Sequence, residues 1–535
     1  MSDKIRKYVL PNLPYLFVFW FFSKIGTAYR IAPGTDFGTK LMGMLDTFPK
    51  AFETYWPGLG GIDLLVGLAG AAGVYLLIQS KIRQAKKFRR DAEYGTARFG
   101  TKEDIKPFVD PKFQNNVILT GTEFLTMNTR PKIPANARNL NACVIGSSGS
   151  GKTRFWLTPQ LLQAHSSYVV VDPKGGTLDQ CGRFLQREKY RVRVFNSIDF
   201  SKSMHYNPLA YIKTESDVLK FVTALIANTK GDGKEGDEFW TKAETALLQA
   251  IILMLFQEAP EYEQNFSMVM RVLEYAEVRE DDDEYISPLD LLFKAMEHEH
   301  PESVALRQYK VFKQAAGKTA KSILVSAAVR LAPFNLPQIK AITDHDDMDL
   351  YTLGERKCAL YAVIPDNDTT FTFLVSLLYS QIFQTLYYCA DQIHHGALPC
   401  HVHFILDEAP SVNLPGLPRE LATMRSRNIS CSTIIQNMAQ IKELYKDSWE
   451  TIPGNSDTLL YLGGNEASTH KYISEALGKS TIDTKTHGQT KGRSGSYSTN
   501  FQMSGRELLT PDEVRMLDNR YCILFIRGTR PVMDE

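Results

Sequence analysis

The first ninety residues contain the two most apolar runs of the chain, at residues 8–22 and 62–78. The second run approaches the ~20 residues with which a helix crosses a bilayer. Lysines and arginines cluster before the first run and after the second, and they are sparser between the two. Because positive charge favours the cytoplasmic side, this pattern predicts a membrane anchor at residues 1–90, with two transmembrane helices and a short external loop at about residues 24–61.

Two other interpretations of the first run stay open. The run is short and contains Pro11 and Pro14, so it also fits the apolar core of a signal peptide or a helix that lies in the membrane interface. In each case the second run and its basic flank place the rest of the chain in the cytoplasm.

Beyond the anchor, short apolar runs of strand length alternate with stretches whose apolar residues recur at helical spacing. This alternation predicts an α/β fold built on a parallel sheet. The sheet domain falls into two parts, at residues 91–213 and 316–535, because residues 214–315 show mostly helical spacing. We therefore expect an all-α domain inserted into the sheet domain.

Composition narrows the class of protein. Apolar residues make up 44% of the chain and charged residues 23%, as in folded proteins. The net charge of +1 excludes the overall basic surface that would announce a nucleic-acid binder. Seven cysteines without a C-x-x-C pair argue against a zinc site or a disulfide framework, and for reduced thiols in the cytoplasm.

The charge is unevenly distributed along the chain. In the predicted helical insertion, acidic residues outnumber basic ones by about two to one. Such a surface repels DNA phosphates and suits a basic protein or segment as partner. A merely solvated acidic surface explains the same pattern equally well.

The clearest chemical motif is G-x-x-x-x-G-K-T, which lies between a predicted strand and a predicted helix. Its glycines let successive backbone N–H groups face phosphate oxygens. Lys152 would reach the β- and γ-phosphates of ATP, and the Thr153 hydroxyl would ligate Mg²⁺. A glycine-serine turn with an unused lysine is the alternative. The predicted nucleotide-binding residues of this loop are Gly146, Ser147, Ser148, Gly149, Ser150, Gly151, Lys152 and Thr153.

A second apolar strand ends in Asp407 and Glu408, which is the Walker B form. Asp407 would hold Mg²⁺, and Glu408 would act as the general base toward the attacking water. Acidic residues end many strands, so this motif gains its weight from the phosphate-binding loop. Gln436, at the end of the following strand, would sense the γ-phosphate, or else it faces solvent.

Two arginines and one turn complete the candidate set. Arg425 and Arg427 end a helical stretch, and either would serve as an arginine finger donated to a neighbouring subunit. Solvated or salt-bridged arginines are the alternative. Asp172 and Lys174 lie in a D-P-K-G turn after a third strand. Because ligands bind at the carboxyl ends of parallel strands, we expect this turn to lie near the nucleotide or the subunit boundary, and we assign both residues to the nucleotide site, with a plain turn as the alternative.

Residues 481–505 are rich in glycine, serine and threonine and poor in apolar side chains. We expect a mobile, mildly basic loop there. It would either line a DNA channel or be an inert surface loop.

Taken together, these motifs resemble those of type IV secretion coupling proteins, the TraG-like ATPases of bacterial conjugation. One departure is Gly176, because the family often has an acidic residue directly after the D-P-K-G turn. The matching segments are EYGTARFGT, GSSGSGKT, DPKGG, HYNPLAYI, GKTAKSILVSAAVRLAPF, LDEAPSVNLPGLPRELATMRSRNIS and IIQNMAQIKELY.

The resemblance implies a RecA-like P-loop ATPase that uses ATP and Mg²⁺, assembles as a homo-hexamer and is held at the bacterial cytoplasmic membrane with its ATPase body in the cytoplasm. Its partners would be single-stranded DNA with a bound relaxase, contacted independently of sequence, and the components of a type IV secretion channel. ATP hydrolysis would drive the transfer.

Three other functions stay open. A coupling ATPase for protein effectors alone would have the same fold, and DNA-stimulated hydrolysis separates the two. An FtsK-type pump for double-stranded DNA would normally bring more membrane spans and a winged-helix tail. A scaffold that binds nucleotide without hydrolysing it would not need Lys152, Asp407 and Glu408 together.

Overall fold

The computed structural model describes residues 12–84, 93–229, 238–278, 285–315, 317–489 and 497–535, with the side chains of 485–501 left aside. The chain forms two compact units, Met1–Glu93 and Tyr94–Glu535. The acidic run at residues 280–284 and most of the basic residues that flank the predicted anchor lie outside the described residues.

The N-terminal unit contains three helices, α1 (Leu13–Ile31), α2 (Phe37–Phe52) and α3 (Gly61–Gln84). Two glycines of α3 allow α1 to approach closely, since a Cβ on Gly67 would meet Phe19 at 2.9 Å and one on Gly70 would meet Phe22 at 2.2 Å. Within α3, the stretch Gly61–Lys81 is long and apolar enough to cross a membrane, with a mean hydropathy of 2.0.

The external location predicted for residues 24–61 stays a prediction, and the structure shows that much of this stretch is helical. Helix α1 continues to Ile31, and α2 occupies much of the remainder. Helix α2 begins where the Asp36 carboxylate accepts the backbone N–H of Thr39 at 3.2 Å, an N-cap that the hydropathy pattern does not reveal.

In the second unit, nine strands form the central sheet in the order β13-β12-β9-β3-β8-β7-β4-β6-β5. The seven strands from β9 to β5 are parallel, and β12 and β13 extend one edge antiparallel. This arrangement confirms the predicted α/β fold with a parallel sheet. The strands are β1 (Asn116–Ile118), β2 (Phe124–Thr126), β3 (Ala142–Ile145), β4 (Ser167–Pro173), β5 (Arg191–Asn196), β6 (Cys358–Ile364), β7 (Val402–Leu406), β8 (Ile429–Ile435), β9 (Thr458–Tyr461), β10 (Lys479–Gln489), β11 (Tyr497–Glu507), β12 (Cys522–Ile526) and β13 (Val532–Asp534).

Both faces of the sheet are covered, as a parallel sheet requires. On β3, Cys143 and Ile145 point into one core, whereas Ala142 and Val144 point into the core on the opposite face. The helices of this unit are α4 (Lys102–Ile105), α5 (Thr158–Leu162), α6 (Gly176–Arg187), α7 (Glu215–Asn228), α8 (Glu238–Glu258), α9 (Phe266–Glu274), α10 (Pro288–Glu299), α11 (Val304–Lys313), α12 (Gly317–Leu331), α13 (Pro337–Ile342), α14 (Thr372–Tyr388), α15 (Leu417–Thr423), α16 (Met438–Tyr445), α17 (Thr451–Gly454), α18 (Ala467–Leu477) and α19 (Pro511–Arg515).

Helices α7 to α13 form one helical segment between β5 and β6. Helices α12 and α13 carry this segment to Ile342, beyond residue 315, and the domain boundaries proposed from the sequence stay predictions. The Phe239–Glu258 stretch of α8 also has the length and composition of a membrane span, but 67% of it is buried. It is therefore a core helix of this unit, and its apolar residues share one core with the sheet.

The mobile loop predicted at residues 481–505 is wrong, because most of this stretch lies in the antiparallel pair β10 and β11. Thr481, Ile482 and Thr484 are β-branched and favour strand geometry despite the polar composition. Residues 490–496, at the turn between the strands, lie outside the described residues.

Candidate nucleotide site

The loop after β3 has the backbone of a phosphate cradle. Gly149 and Gly151 hold φ at +79° and +89°, which side chains rarely adopt. A Cβ on Gly146 would lie 2.3 Å from the Ser150 hydroxyl, so a side chain there would force Ser150 to move. The chain then enters a π-helix at Lys152–Leu157, whose N-terminal end directly follows the loop, which is where a phosphate is favoured.

Lys152 lies folded over this loop and is buried. Its Nζ donates to the carbonyl oxygens of Gly146 at 2.7 Å and Ser147 at 3.0 Å. Burial lowers the pKa of the ammonium, against the attraction of Asp407 and Glu408. A desolvated cation held only by neutral carbonyls is placed to exchange them for phosphate oxygens.

Thr153 and Asp407 lie next to each other at the carboxyl ends of β3 and β7. The Thr153 hydroxyl donates to the Asp407 carboxylate at 2.9 Å, and burial raises the pKa of this carboxyl. A hydroxyl and a carboxylate side by side are the oxygen donors that Mg²⁺ prefers. The residues present therefore fit a magnesium ion, which Thr153 and Asp407 would ligate.

Glu408 and Gln436 lie at the ends of neighbouring strands. Strand β8 separates β3 from β7, so Gln436 at its end stands between the phosphate loop and Glu408. The Gln436 amide donates to the Glu408 carboxylate at 3.4 Å. Glu408 itself holds φ at +53°, a strained geometry for a residue with a side chain.

The D-P-K-G turn is arranged around its own backbone. The Asp172 carboxylate accepts the N–H groups of Thr177 at 3.2 Å and Leu178 at 2.8 Å, at the start of α6. Burial raises the pKa of Asp172. Lys174 pairs with Asp366 at 2.5 Å on the surface. Contact of Asp172 and Lys174 with a nucleotide therefore stays a prediction.

The two arginines have different surroundings. Arg427 forms a bidentate ion pair with Asp391, at 2.7 Å for the shorter contact, and its guanidinium lies 4.3 Å from the centre of the Tyr387 ring. Arg425 donates to the Thr129 carbonyl at 2.7 Å, and no carboxylate among the described residues pairs with it. The predicted finger role stays a prediction for both.

Two further groups at the carboxyl end of the sheet were not predicted from the sequence. The Gly463 carbonyl accepts the N–H of Ser147 at 3.0 Å and thereby fixes the phosphate loop to the end of β9. Asp366, the partner of Lys174, follows β6. Both lie just past the carboxyl ends of parallel strands, so a search of every strand end would have found them.

The chain is similar to proteins of conjugative DNA transfer systems. A family model described as type IV secretory system conjugative DNA transfer matches residues 104–535. The chain is 25% identical over 419 residues to the protein VirD4 of Rhizobium radiobacter, covering 74% of this chain and 56% of that protein. It is 21% identical over 409 residues to the conjugal transfer protein TraG of the same organism, covering 73% and 60%. The chain thus spans less than two-thirds of these relatives.

Solved structures share the fold. The bacterial conjugative coupling protein TrwBΔN70, in its unbound form, superposes with a TM-score of 0.59 at 16% identity, covering 84% of this chain and 96% of that one. TrwB in complex with ADP and Mg²⁺ superposes with a TM-score of 0.57 at 16% identity, covering 82% and 95%.

Proposed function

The chain belongs to the type IV secretory system conjugative DNA transfer family, and from this premise we propose that it is a membrane-anchored coupling ATPase. It receives a relaxase-bound single strand of DNA, hands it to the secretion channel and drives its translocation by ATP hydrolysis. The observation that carries the proposal is that five side chains lie close together at the carboxyl ends of β3, β7 and β8. They are Lys152, Thr153, Asp407, Glu408 and Gln436.

The proposed chemistry assigns one task to each of these side chains. Lys152 leaves the loop carbonyls and binds the β- and γ-phosphates of ATP. Thr153 and Asp407 hold Mg²⁺, which when bound neutralises developing charge on the phosphates. Glu408 accepts a hydrogen bond from the attacking water and takes its proton. Gln436 orients Glu408 through their contact and registers whether the γ-phosphate is present.

We assign the trans-acting finger to Arg425. The Arg427 guanidinium is held by its ion pair with Asp391 and its contact with the Tyr387 ring. Arg425, in contrast, donates to a single described backbone carbonyl. A finger must be able to redirect its donors to the phosphates of a neighbouring subunit. The assignment requires a closed ring, and a homo-hexamer is the assembly that we propose.

The proposed location is the bacterial cytoplasmic membrane. Helix α3 is long enough to cross the membrane. Only 11% of its apolar stretch within Gly61–Lys81 is buried against other described residues. The ATPase body lies on the cytoplasmic side, and the second compact unit contains the whole candidate site.

The decisive experiment measures ATP hydrolysis by the detergent-solubilised chain over a range of protein concentrations, with and without single-stranded DNA. We expect turnover to rise steeply with concentration, to increase with DNA and to disappear in Lys152→Ala. Arg425→Ala should abolish the concentration dependence, whereas the matched variant Arg427→Ala should retain it. Absence of hydrolysis in the assembled wild-type protein with Mg²⁺ would overturn the proposal.

A coupling ATPase that carries only protein effectors is the second candidate, and the acidic helical segment favours it. Acidic residues of this segment, such as Glu261 and Glu302, lie on its surface and suit a basic protein partner. Hydrolysis that responds to a basic effector but not to single-stranded DNA would select this candidate.

A further inference from the structure

Two histidines and an aspartate converge far along the chain from the nucleotide-site motifs. His205 Nδ1 lies 2.7 Å from the Asp347 carboxylate, and His345 Nε2 lies 3.8 Å from the same oxygen. One ligand atom from each of the three side chains lies within 4.8 Å of the others. The two imidazole rings stack with their centres 3.8 Å apart, so the two histidines lie side by side next to Asp347.

Backbone hydrogen bonds hold this cluster in place. The N–H of Asp347 donates to the carbonyl of His205 at 3.0 Å, and the N–H of Tyr206 donates to the carbonyl of Ile342 at 2.6 Å. The buried end of the same loop is fixed by Asp346, whose carboxylate accepts the Tyr211 hydroxyl at 2.5 Å. The three side chains therefore lie on two segments that are hydrogen-bonded to each other. They lose little conformational entropy when they bind a ligand.

The surroundings favour a cation. The Asp344 carboxylate lies 3.8 Å from His345 Nδ1, on the side of the ring away from Asp347, which is where an outer-shell carboxylate orients a metal-binding histidine. The cluster is open to solvent, since the side chains of His205 and His345 are 36% and 56% exposed. His205 also lines a cleft of about 610 Å³ at the ends of β5 and β6, through which an ion can enter.

We propose that His205, His345 and Asp347 form a binding site for a divalent transition-metal cation of the zinc type. Imidazole nitrogens with one carboxylate are the ligands that such ions select over Mg²⁺ or Ca²⁺. Such an ion takes its ligand atoms at about 2.1 Å, so the three ligand atoms, which lie within 4.8 Å of one another, must draw closer together to bind it. Three protein ligands leave a further coordination position open toward solvent.

The position of the cluster indicates what the ion does. His205 precedes the helical segment α7–α13, and His345 and Asp347 follow it. A metal at this point joins the connection that enters the segment to the connection that leaves it, and so fixes the base of the segment to the sheet. This inference is independent of the proposed ATPase activity, because neither side of the cluster belongs to the nucleotide site.

The test uses the full-length protein in detergent, without a polyhistidine tag, after removal of metals with EDTA. Zn²⁺ is titrated against a fluorescent zinc indicator, and hydrogen exchange is followed at the amides of Tyr206 and Asp347. We expect one equivalent to bind in the micromolar range or tighter, and exchange at both amides to slow at least several-fold. His345→Ala, at an exposed position, should lose the equivalent and the protection, and His345→Cys should retain both.

A matched control is available at His394, which pairs with Glu355 and belongs to neither of the metal-capable groups found among the described residues. His394→Ala should bind zinc as the wild type does. If the wild type binds no zinc in this range, or if His345→Ala keeps the full equivalent, the site does not exist. If zinc binds without protecting the two amides, the structural role at the base of the helical segment is wrong.

Discussion

At the scale of single residues, Glu408 combines a proposed catalytic role with an unfavourable backbone. Its φ of +53° directly after β7 lies in the left-handed region, where a side chain costs about 1–2 kcal/mol. Four residues earlier the strand is fully regular and buried, so the strain is confined to the position that aims the carboxylate. This geometry serves the site and reduces stability.

The strain has a measurable consequence. Glu408→Ala and Glu408→Gly should both abolish ATP hydrolysis, but the glycine variant should be more stable than the alanine variant by up to ~1 kcal/mol, because glycine tolerates this φ. Denaturant midpoints of the two variants check the order. At Glu443, exposed on helix α16, the same pair of substitutions should give the opposite order, since alanine favours a helix. An alanine variant at position 408 that equals or exceeds the glycine variant would contradict the strain.

The sequence anticipates some of these residue positions and misses others. The meeting of Thr153 with Asp407 follows from two local motifs and the rule that ligands gather at strand ends. The pairing of Lys174 with Asp366 requires knowing that β4 neighbours β6, and Arg427 with Asp391 requires the path of the chain after α14. No local spacing contains either piece of information.

At the scale of elements, a buried polar network ties the π-helix to β7 and β8. The Trp156 indole donates to the Ser432 hydroxyl at 3.1 Å, and this hydroxyl is hydrogen-bonded to His403 at 2.9 Å. His403 continues to Ser430 at 2.5 Å. The sequence of β7 is that of an apolar strand with one histidine, and nothing in it shows which hydroxyls this histidine contacts.

This network makes stability sensitive to acid. Burial holds the pKa of His403 well below its usual range, so the unfolded chain binds a proton that the folded chain does not once the pH falls below about 6.5. Stability contributed by the neutral ring is present above this pH and is lost below it, by up to about 1.4 kcal/mol per pH unit. Burial lowers the pKa of neighbouring His165 to about 4, so its share of the loss extends to that pH.

We therefore expect His403→Gln to reduce the slope of the unfolding free energy against pH between 6.5 and 5, whatever it does to stability at neutral pH. Denaturant unfolding at a series of pH values gives this slope. His298→Gln, at an exposed position on α10, serves as the control and should leave the slope as in the wild type. An unchanged slope in His403→Gln would show that the ring does not stay neutral.

At the scale of the whole molecule, the sequence predicted the class of fold but not its layout. Strand-length apolar runs separated by helical spacing are sufficient to indicate a parallel sheet. The order in which β8 lies between β3 and β7 depends on packing between distant segments, which periodicity does not encode. The β10–β11 hairpin was missed for a related reason, since a two-stranded ribbon with polar faces has little hydrophobic alternation.

The division into two compact units leads to a prediction about fragments. The chain from Tyr94 onward should fold and bind ATP without detergent, because its core is its own. Residues 94–103 form a strap that is joined to β10 by backbone hydrogen bonds between Gly95 and Thr481 and between Ala97 and Lys479. A fragment that begins at residue 104 lacks this strap. We expect it to melt several degrees lower.

Thermal unfolding and nucleotide binding of the two fragments check this expectation. Aggregation of the longer fragment would show that the second unit depends on the first. Equal melting temperatures would show that the strap contributes nothing.

The hydrogen bond between Tyr206 and Ile342 has a further consequence for how such proteins diversify. The helical segment leaves the sheet and returns to it at one point, so its length and content are free to change while the nine strands keep their register. Transplanting a helical segment from one relative into another, cut at these two residues, should therefore leave the sheet and the nucleotide site intact.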